Sequence, residues 1–419
     1  MARSGRIYRA ALVGCSRMGA FIDHEAAAAH LSPHAGAYHK CERTDLVAVC
    51  DVREEARRRA GERWGVPEAR RYTDYREMVE RERPDILSVA TQPEQRAEIV
   101  VLACEQGVPA IYAEKAMAAS LAEADRMVAA VEGAGVAFNL GTNRRLDAGY
   151  GAMRSLIESG SRGRLRSLIH HSCGPLFNSG SHSIDLVLHL RGDTPLRTVQ
   201  GSLTRDVDID TEAGLIRADP TGQGVLEFED GVPAYLLNSG RGHDVDAVLD
   251  GAVASSWNGG REWRVRVAEG AGGQSAFVQA DLPDFEVVDT AVALVRDLVA
   301  TIDGDHAPRG GVRTVRAHTE AIFALIESHL RGGARVELPL SGSDLRLERD
   351  LAPRQPSYDP SSAAASYGSS DQLTRWVAVS MWPASTGQAT PRAVSSSRRR
   401  STVSESGARK PRPSARQSS

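Results

Sequence analysis

The chain has 419 residues, 41% of them hydrophobic and 25% charged, with a formal net charge of −3. That is long enough for two domains with a sizeable core, and the charge balance argues against a nucleic-acid partner for the chain as a whole. No stretch approaches the roughly 18 apolar residues of a membrane span, and no hydrophobic segment follows the opening Met-Ala-Arg-Ser-Gly-Arg, so neither a span nor a secretory signal is expected. Five cysteines (Cys15, Cys41, Cys50, Cys104 and Cys173) show no paired spacing and sit mostly in apolar runs. They read as reduced thiols of a cytoplasmic protein.

Over the first 140 or so residues, short apolar runs alternate with longer amphipathic ones, the pattern of a parallel βαβ sheet. Strands are expected at 8–13, 46–50, 86–90, 110–112 and 136–140, and helices at 54–64, 75–82, 94–106 and 121–132. An Ala/His-rich piece, 21–34, lengthens the first crossover. From Asp147 the pattern changes: a helix at 148–158, a strand at 165–172 and a polar-faced helix after Asn178. Strands with Gly-rich turns follow at 198–203, 224–228, 233–238, 247–249, 263–268 and 275–280, then helices at 290–302 and 314–331 with Gly332-Gly333 as a stop. The fold class is therefore α/β. A doubly wound parallel sheet occupies 1–141, and an α/β domain with an open, mainly antiparallel sheet occupies 142–350. Past residue 350 ten Arg/Lys face three acids in a Ser/Arg/Pro-rich stretch, and 351–419 reads as a disordered tail apart from a short apolar run at 373–382.

The first strand ends in Gly14-Cys15-Ser16-Arg17-Met18-Gly19, a G-x-S-x-x-G turn. The first glycine permits the tight turn, the last lets the following helix lie close, and free amides at the helix start face a pyrophosphate. Serine at the middle position adds a hydroxyl donor. The next strand ends in Asp51, whose carboxylate suits both adenosine ribose hydroxyls and repels a 2′-phosphate, favouring NAD. Arg53, two residues on, keeps NADP open. Thr91, ahead of Pro93 at another strand end, is placed either to reach the cofactor or to sit near a helix cap.

Lys115 ends a strand beside Glu114, and Asn178, His182, Asp185 and His189 follow at spacings of four, three and four, one face of a helix. A lysine ammonium polarises a hydroxyl oxygen and an imidazole exchanges its proton, the two parts needed to oxidise an alcohol. Asp185, one turn from His182, is placed to orient it or bind substrate. Arg144 and Arg145 either clamp a substrate carboxylate or phosphate or form salt bridges between domains. No metal site is expected on this helix. The early histidines, His24, His30, His34 and His39, read as structural or as a loop over the nucleotide.

Taken in order, the Gly14–Gly19 turn, Asp51, Thr91-x-Pro93, Ala113-Glu114-Lys115, Gly141-Thr142-Asn143-Arg144-Arg145 and Gly180-Ser181-His182-x-x-Asp185 resemble the Gfo/Idh/MocA oxidoreductases over about residues 6–345. The resemblance implies a Rossmann domain, a second α/β domain whose open sheet makes a homo-oligomer (dimer or tetramer), and NAD(P)-dependent oxidation or reduction of sugars, inositols and related polyols. It assigns Lys115 and His182 to catalysis. Gly14, Ser16, Arg17, Met18, Gly19, Asp51, Thr91, Pro93, Glu114 and Asn143 fall to the cofactor, and Arg144, Asn178 and Asp185 join the catalytic pair around the substrate. Two positions depart from the family pattern: Ala116 replaces a proline, and Asn178 replaces an aspartate. The departures leave two other expectations open, a nucleotide-sensing regulatory protein on the same scaffold and a glycosidase using NAD transiently.

Overall fold

In the computed structural model the apolar runs of the first third become strands β1 (Tyr8–Val13), β2 (Thr44–Cys50), β3 (Arg71–Tyr72), β4 (Ile86–Val89), β5 (Ala110–Ala113) and β6 (Ala137–Leu140). They pair in parallel in the order β3-β2-β1-β4-β5-β6. Every residue of β4, β5 and β6 is buried, which is why these strands carry no polar alternation. The order reverses between β1 and β4, so the carboxyl ends of these two strands border the crevice where such sheets take ligands.

Helices α2 (Glu54–Trp64), α3 (Tyr75–Glu82), α4 (Pro93–Glu105) and α5 (Leu121–Ala134) connect the strands. Local chemistry sets their ends. Asp74 caps α3 through the Arg76 amide, Pro93 opens α4, and Ser120 caps α5, which stops at left-handed Gly135. The first crossover is not one lengthened helix. A π turn at Arg17–Phe21 and a 3₁₀ turn at Ile22–His24 come first, and helix α1 (His34–Lys40) starts only after Pro33.

Helix α6 (Ala148–Glu158), strand β7 (Leu165–His170), a π turn at Leu176–Gly180 and helix α7 (Ser181–Leu190) lead into the second half. There β8 (Leu196–Arg205), β9 (Ile209–Asp210), β10 (Leu215–Ile216), β11 (Thr221–Phe228), β12 (Pro233–Leu236), β13 (Val245–Leu249), β14 (Ala252–Trp257), β15 (Glu262–Glu269) and β16 (Ala276–Ala280) precede α8 (Thr290–Ile302), α9 (Val312–Leu330), β17 (Val336–Glu337) and β18 (Arg346–Leu347). Nine strands pair as β16-β15-β14-β13-β7-β12-β11-β8-β17, antiparallel except for β7 beside β12. Helix α9 lies on β8 and β11, where Gly201 and Gly224 face each other. A Cβ on either would come within 2.5–2.7 Å of the Leu325 side chain. On the other face Tyr235, Trp257 and Phe277 are exposed.

Strand β14 was not expected. Its Ala-Val-Ala-Ser-Ser-Trp sequence lacks apolar alternation, yet Ser255 and Ser256 are buried because Asp246 and Tyr150 take their hydroxyls. Helix α8 packs back on the parallel sheet, with Ala291, Leu294, Val295 and Leu298 against Tyr8, Ile86 and Tyr112.

The structure describes residues 5–25, 31–239, 242–269, 276–280, 282, 284–340, 342–350, 356 and 358, all within one unit spanning Met1–Tyr367. The expected tail, with its apolar run at 373–382, lies outside the described residues except for Pro356 and Tyr358. The Tyr358 ring meets Phe21 edge-on at 5.0 Å and lies beneath the Arg59 guanidinium. No helix among the described residues is long and apolar enough to cross a membrane.

If α8 completes the core of the parallel sheet, Leu298→Ala lowers unfolding free energy by about 2–5 kcal/mol. Urea titration followed by fluorescence reads this, and a change below about 0.5 kcal/mol would contradict that packing.

Candidate active site

At the β1 end, Gly14 has φ +93°, and a Cβ there would stand 2.7 Å from the Ala90 carbonyl oxygen. A Cβ on Gly19 would stand 1.9 Å from the Gly14 oxygen. Both glycines are required by the turn, as a dinucleotide fingerprint demands. Ser16, Arg17 and Met18 form the turn's rim, and Arg17 is held by Glu25. Asp51 is buried at the end of β2, where Oδ2 accepts from the Cys15 amide at 2.8 Å. Its other partner is Arg53, whose Nε and Nη2 each reach an Asp51 oxygen at 3.0 Å. Thr91 Oγ1 is buried without a partner. These features fit a dinucleotide: the close-approach glycines, the acid at the second strand end and an unused hydroxyl. Asn143 faces partly away, since its amide nitrogen donates to Thr290 Oγ1 at 2.9 Å.

Glu114, at the end of β5, is buried and accepts from His34 Nε2 at 3.0 Å. A carboxylate can only accept, so Nε2 donates. In the neutral imidazole Nδ1 then accepts from Ser88 Oγ (2.9 Å), which accepts in turn from the Tyr38 hydroxyl (2.8 Å). The His34 ring stacks on Tyr112 at 3.7 Å. Burial pushes the Glu114 carboxyl up, but the hydrogen bond from His34 and the charges of Lys115 and Arg96 leave it below its ordinary value. His34 is therefore a structural partner of the strand end, one of the two readings open for the early histidines.

Lys115 follows, and its Nζ donates to Asn178 Oδ1. Burial lowers the ammonium pKa; Glu114 opposes that, while Arg96 and Arg17 add to it. Charges on the nucleotide turn and on the strand end are thus within reach of this lysine. Fully buried Arg96 was not anticipated. It donates to the carbonyls of Ala116 and Thr91, gripping both strand ends, and burial pulls its pKa down to about 10. The Lys115–Ala116 peptide is cis.

His182 completes the pair. Burial holds its imidazole well below the ordinary value, and the charges of Arg144 and Lys115 add to this, so it does not titrate near neutrality. Its Nδ1 is buried without a partner. Two further histidines stand beside it, His243 at 5.9 Å between ring centroids and His170 at 5.5 Å from His243. Neither was expected from sequence, because they lie on β7 and in the loop before β13, far from any motif. Asp219, also unforeseen, accepts from the amides of Phe177 and Asn178 at 2.9 Å and so fixes the π turn that carries Asn178.

The expected one-face stripe divides. Asp185 points to Arg145, with Nη2···Oδ1 at 2.8 Å, and both groups are nearly fully buried. Arg145 also binds Asp193 at 3.0 Å and the Arg309 carbonyl at 3.2 Å. Burial would raise the Asp185 carboxyl, but the Arg145 charge keeps it far below its ordinary range. Asp185 makes no hydrogen bond to His182 Nδ1, and a carboxylate so engaged is not free for substrate. Asn178 leaves the stripe for a different reason: it lies in the π turn, which breaks the 3.6-residue period before His182. His189 joins Arg154 at 3.2 Å, outside the site. The Arg144 guanidinium, by contrast, has no hydrogen bond or ion pair among the described residues.

The profile of an oxidoreductase family with an NAD-binding Rossmann fold matches residues 8–142. Myo-inositol 2-dehydrogenase of Thermotoga maritima is 28% identical over 211 residues, 47% of this chain and 61% of that protein. D-apiose dehydrogenase of Paraburkholderia graminis is 32% identical over 156 residues, 37% of this chain and 38% of that protein. The chain thus spans less than two thirds of either relative. Among solved structures, aldose-aldose oxidoreductase of Caulobacter crescentus complexed with glycerol superposes with a TM-score of 0.65 at 18% identity, covering 80% of this chain and 100% of that one. The WlbA dehydrogenase of Bordetella pertussis, in complex with NADH and UDP-GlcNAcA, gives 0.64 at 20% identity, covering 81% and 100%. At these identities the structures establish a shared fold.

Removing the Asp185 carboxylate takes from the buried Arg145 guanidinium its fully buried partner and leaves it Asp193 and the Arg309 carbonyl, so Asp185→Ala is expected to cost about 3 kcal/mol in denaturant unfolding; a loss under about 1 kcal/mol would contradict the pairing. Burial also holds His170 and His189 at about 3 and His243 at about 2. Unfolded, each binds a proton near 6.5, so below that pH the unfolded chain holds more protons and stability falls as pH drops from about 6.5 toward 3. Each histidine contributes at most about 1.4 kcal/mol per pH unit. The slope of unfolding free energy against pH should become shallower in His243→Gln, and an unchanged slope would refute this.

Proposed function

We propose that the chain, whose residues 8–142 match the NAD-binding Rossmann model of the Gfo/Idh/MocA oxidoreductases, is an NAD-dependent dehydrogenase of a CH–OH group on a sugar, inositol or related polyol. The observation that carries the reading is the placement of Lys115. It sits at a strand end of the nucleotide sheet, bonded to Asn178 and within electrostatic reach of both Arg17 and His182.

The bound nicotinamide supplies the hydride acceptor. The chain's own residues do the remainder. Lys115 donates to the reacting oxygen and stabilises the negative charge that develops there as hydride leaves carbon. The Asn178 carbonyl orients the ammonium, a task that needs no charge, so the asparagine in place of the family aspartate keeps the lysine aimed. His182, neutral because it is buried beside cations, takes the hydroxyl proton. Glu114, locked to His34, fixes the strand end that carries Lys115.

NAD is favoured over NADP because Asp51 stands where a 2′-phosphate would lie, and Arg53 is turned onto that carboxylate. Residues 1–141 serve as the nucleotide-binding domain and 142–350 as the substrate and oligomerisation domain. The exposed Tyr235, Trp257 and Phe277 of the open sheet face support a homo-oligomer, dimer or tetramer. Five free, buried cysteines fit a reducing cytoplasm.

Purified protein mixed with NAD and a panel of sugars, inositols and sugar acids should build the reduced-nicotinamide absorbance band with at least one compound. Lys115→Met is expected to lower kcat/KM about 10²–10³-fold while NAD affinity stays within about twofold. NAD binding with a flat trace across the panel would replace the dehydrogenase reading with nucleotide sensing.

A further inference from the structure

Arg144 and Arg145 are adjacent, yet only Arg145 is satisfied. Its guanidinium is shared among Asp185, Asp193 and the Arg309 carbonyl. The Arg144 guanidinium has no hydrogen bond or ion pair among the described residues, although the residue is only partly exposed. The acids near it are taken. Asp147 caps α6 through the amides of Gly149 and Tyr150, and Asp185 belongs to Arg145. Near Lys115, Asp219 holds the Phe177 and Asn178 amides.

Around Arg144 the other groups are cationic or neutral. Its charge acts on His182, His170 and His243 at once, and Lys115 acts on two of the three. His170 Nε2 and His182 Nδ1 are buried without partners. Among the described residues no group of three or more His, Cys, Asp and Glu is placed to hold a metal ion. A partly buried guanidinium with nothing to bind is costly unless a ligand completes it.

We infer that Arg144 is the carboxylate anchor of the substrate site, so that the preferred substrate is a polyhydroxylated acid, an aldonate or uronate, rather than a neutral sugar or inositol. This rests on the dehydrogenase reading above and names its substrate class. The planar fork of the guanidinium matches a carboxylate bidentately. One guanidinium balances one negative charge. Lys115 is committed to the reacting oxygen, and the three histidines supply hydrogen bonds rather than charge, which suits a monoanion better than a phosphate dianion. In oxidation the anchored acid keeps its carboxylate; hydride leaves a hydroxyl-bearing carbon for the nicotinamide, and the hydroxyl proton goes to His182.

The test is calorimetric binding to the NAD-loaded protein of myo-inositol, D-glucose, D-gluconate, D-glucuronate and D-glucose 6-phosphate, with reduced-nicotinamide formation followed in parallel. At least one acid should bind about tenfold or more tighter than its neutral counterpart, and Arg144→Met should erase that difference without changing NAD affinity. Arg144→Lys, which keeps charge but not the fork, should retain part of it. Should Arg144→Met fail to fold, the wild-type preference still decides. Equal binding of acids and neutral compounds, with turnover present, overturns the anchor and leaves the dehydrogenase intact. Tightest binding of the phosphate overturns the carboxylate assignment. Arg144-dependent binding of acids without turnover of any compound supports the anchor and sinks the dehydrogenase reading instead.

Discussion

The buried carboxylate of Glu114 is the constraint around which the site is organised. A carboxylate removed from water is expensive unless donors surround it. Here the donor comes from His34, on a helix that exists only because the first crossover is longer than the minimum. The same imidazole is fixed by Ser88 on β4, by the Tyr38 hydroxyl beyond it and by stacking on Tyr112 of β5. One buried chain of hydrogen bonds therefore ties the crossover to β4 and to the carboxyl end of β5. Gly141 must be glycine beside it, because a Cβ there would stand 2.7 Å from Glu114 Oε1. Lys115 inherits its position from this network.

Arg96 works on the same strand ends from the other side. It spends its guanidinium on two carbonyls, those of Ala116 and Thr91, and on no carboxylate. The segment after Lys115 is thus held by a side chain from α4. Burial makes the Lys115 ammonium less stable than in water despite Glu114, and the charges of Arg96 and Arg17 add to that effect.

Much of this was legible in the sequence for physical reasons. Parallel strands buried on both faces read as unbroken apolar runs, and α2, α3, α6 and α8 have clear caps or stops, so those elements were located to the residue. The Gly14–Gly19 turn, Asp51, Lys115 and His182 were legible because each is bound to a strand end or a helix position by spacing. What depended on tertiary contact was not. Strand β14 is made of small residues whose burial is decided by partners on other elements. His170 and His243 reach the site through sheet packing rather than through any motif. The stripe Asn178, His182, Asp185 and His189 assumed a uniform helix, and the π turn at Leu176–Gly180 rotates Asn178 out of that register.

The division between Arg144 and Arg145 shows how one dipeptide serves structure and chemistry together. Arg145, buried among Asp185, Asp193 and a carbonyl, locks the segment after β6 to α7 and so fixes the helix that carries His182. Its neighbour is then held beside His182 with its charge uncancelled. That charge is, after burial, the strongest influence keeping the imidazole neutral. An anion seated on Arg144 would cancel it, and a proton on His182 would become less costly at the moment substrate is bound. The weak base of the free protein and the unpaired guanidinium are in this sense one feature: each is incomplete until a negatively charged group arrives, and the same group would correct both.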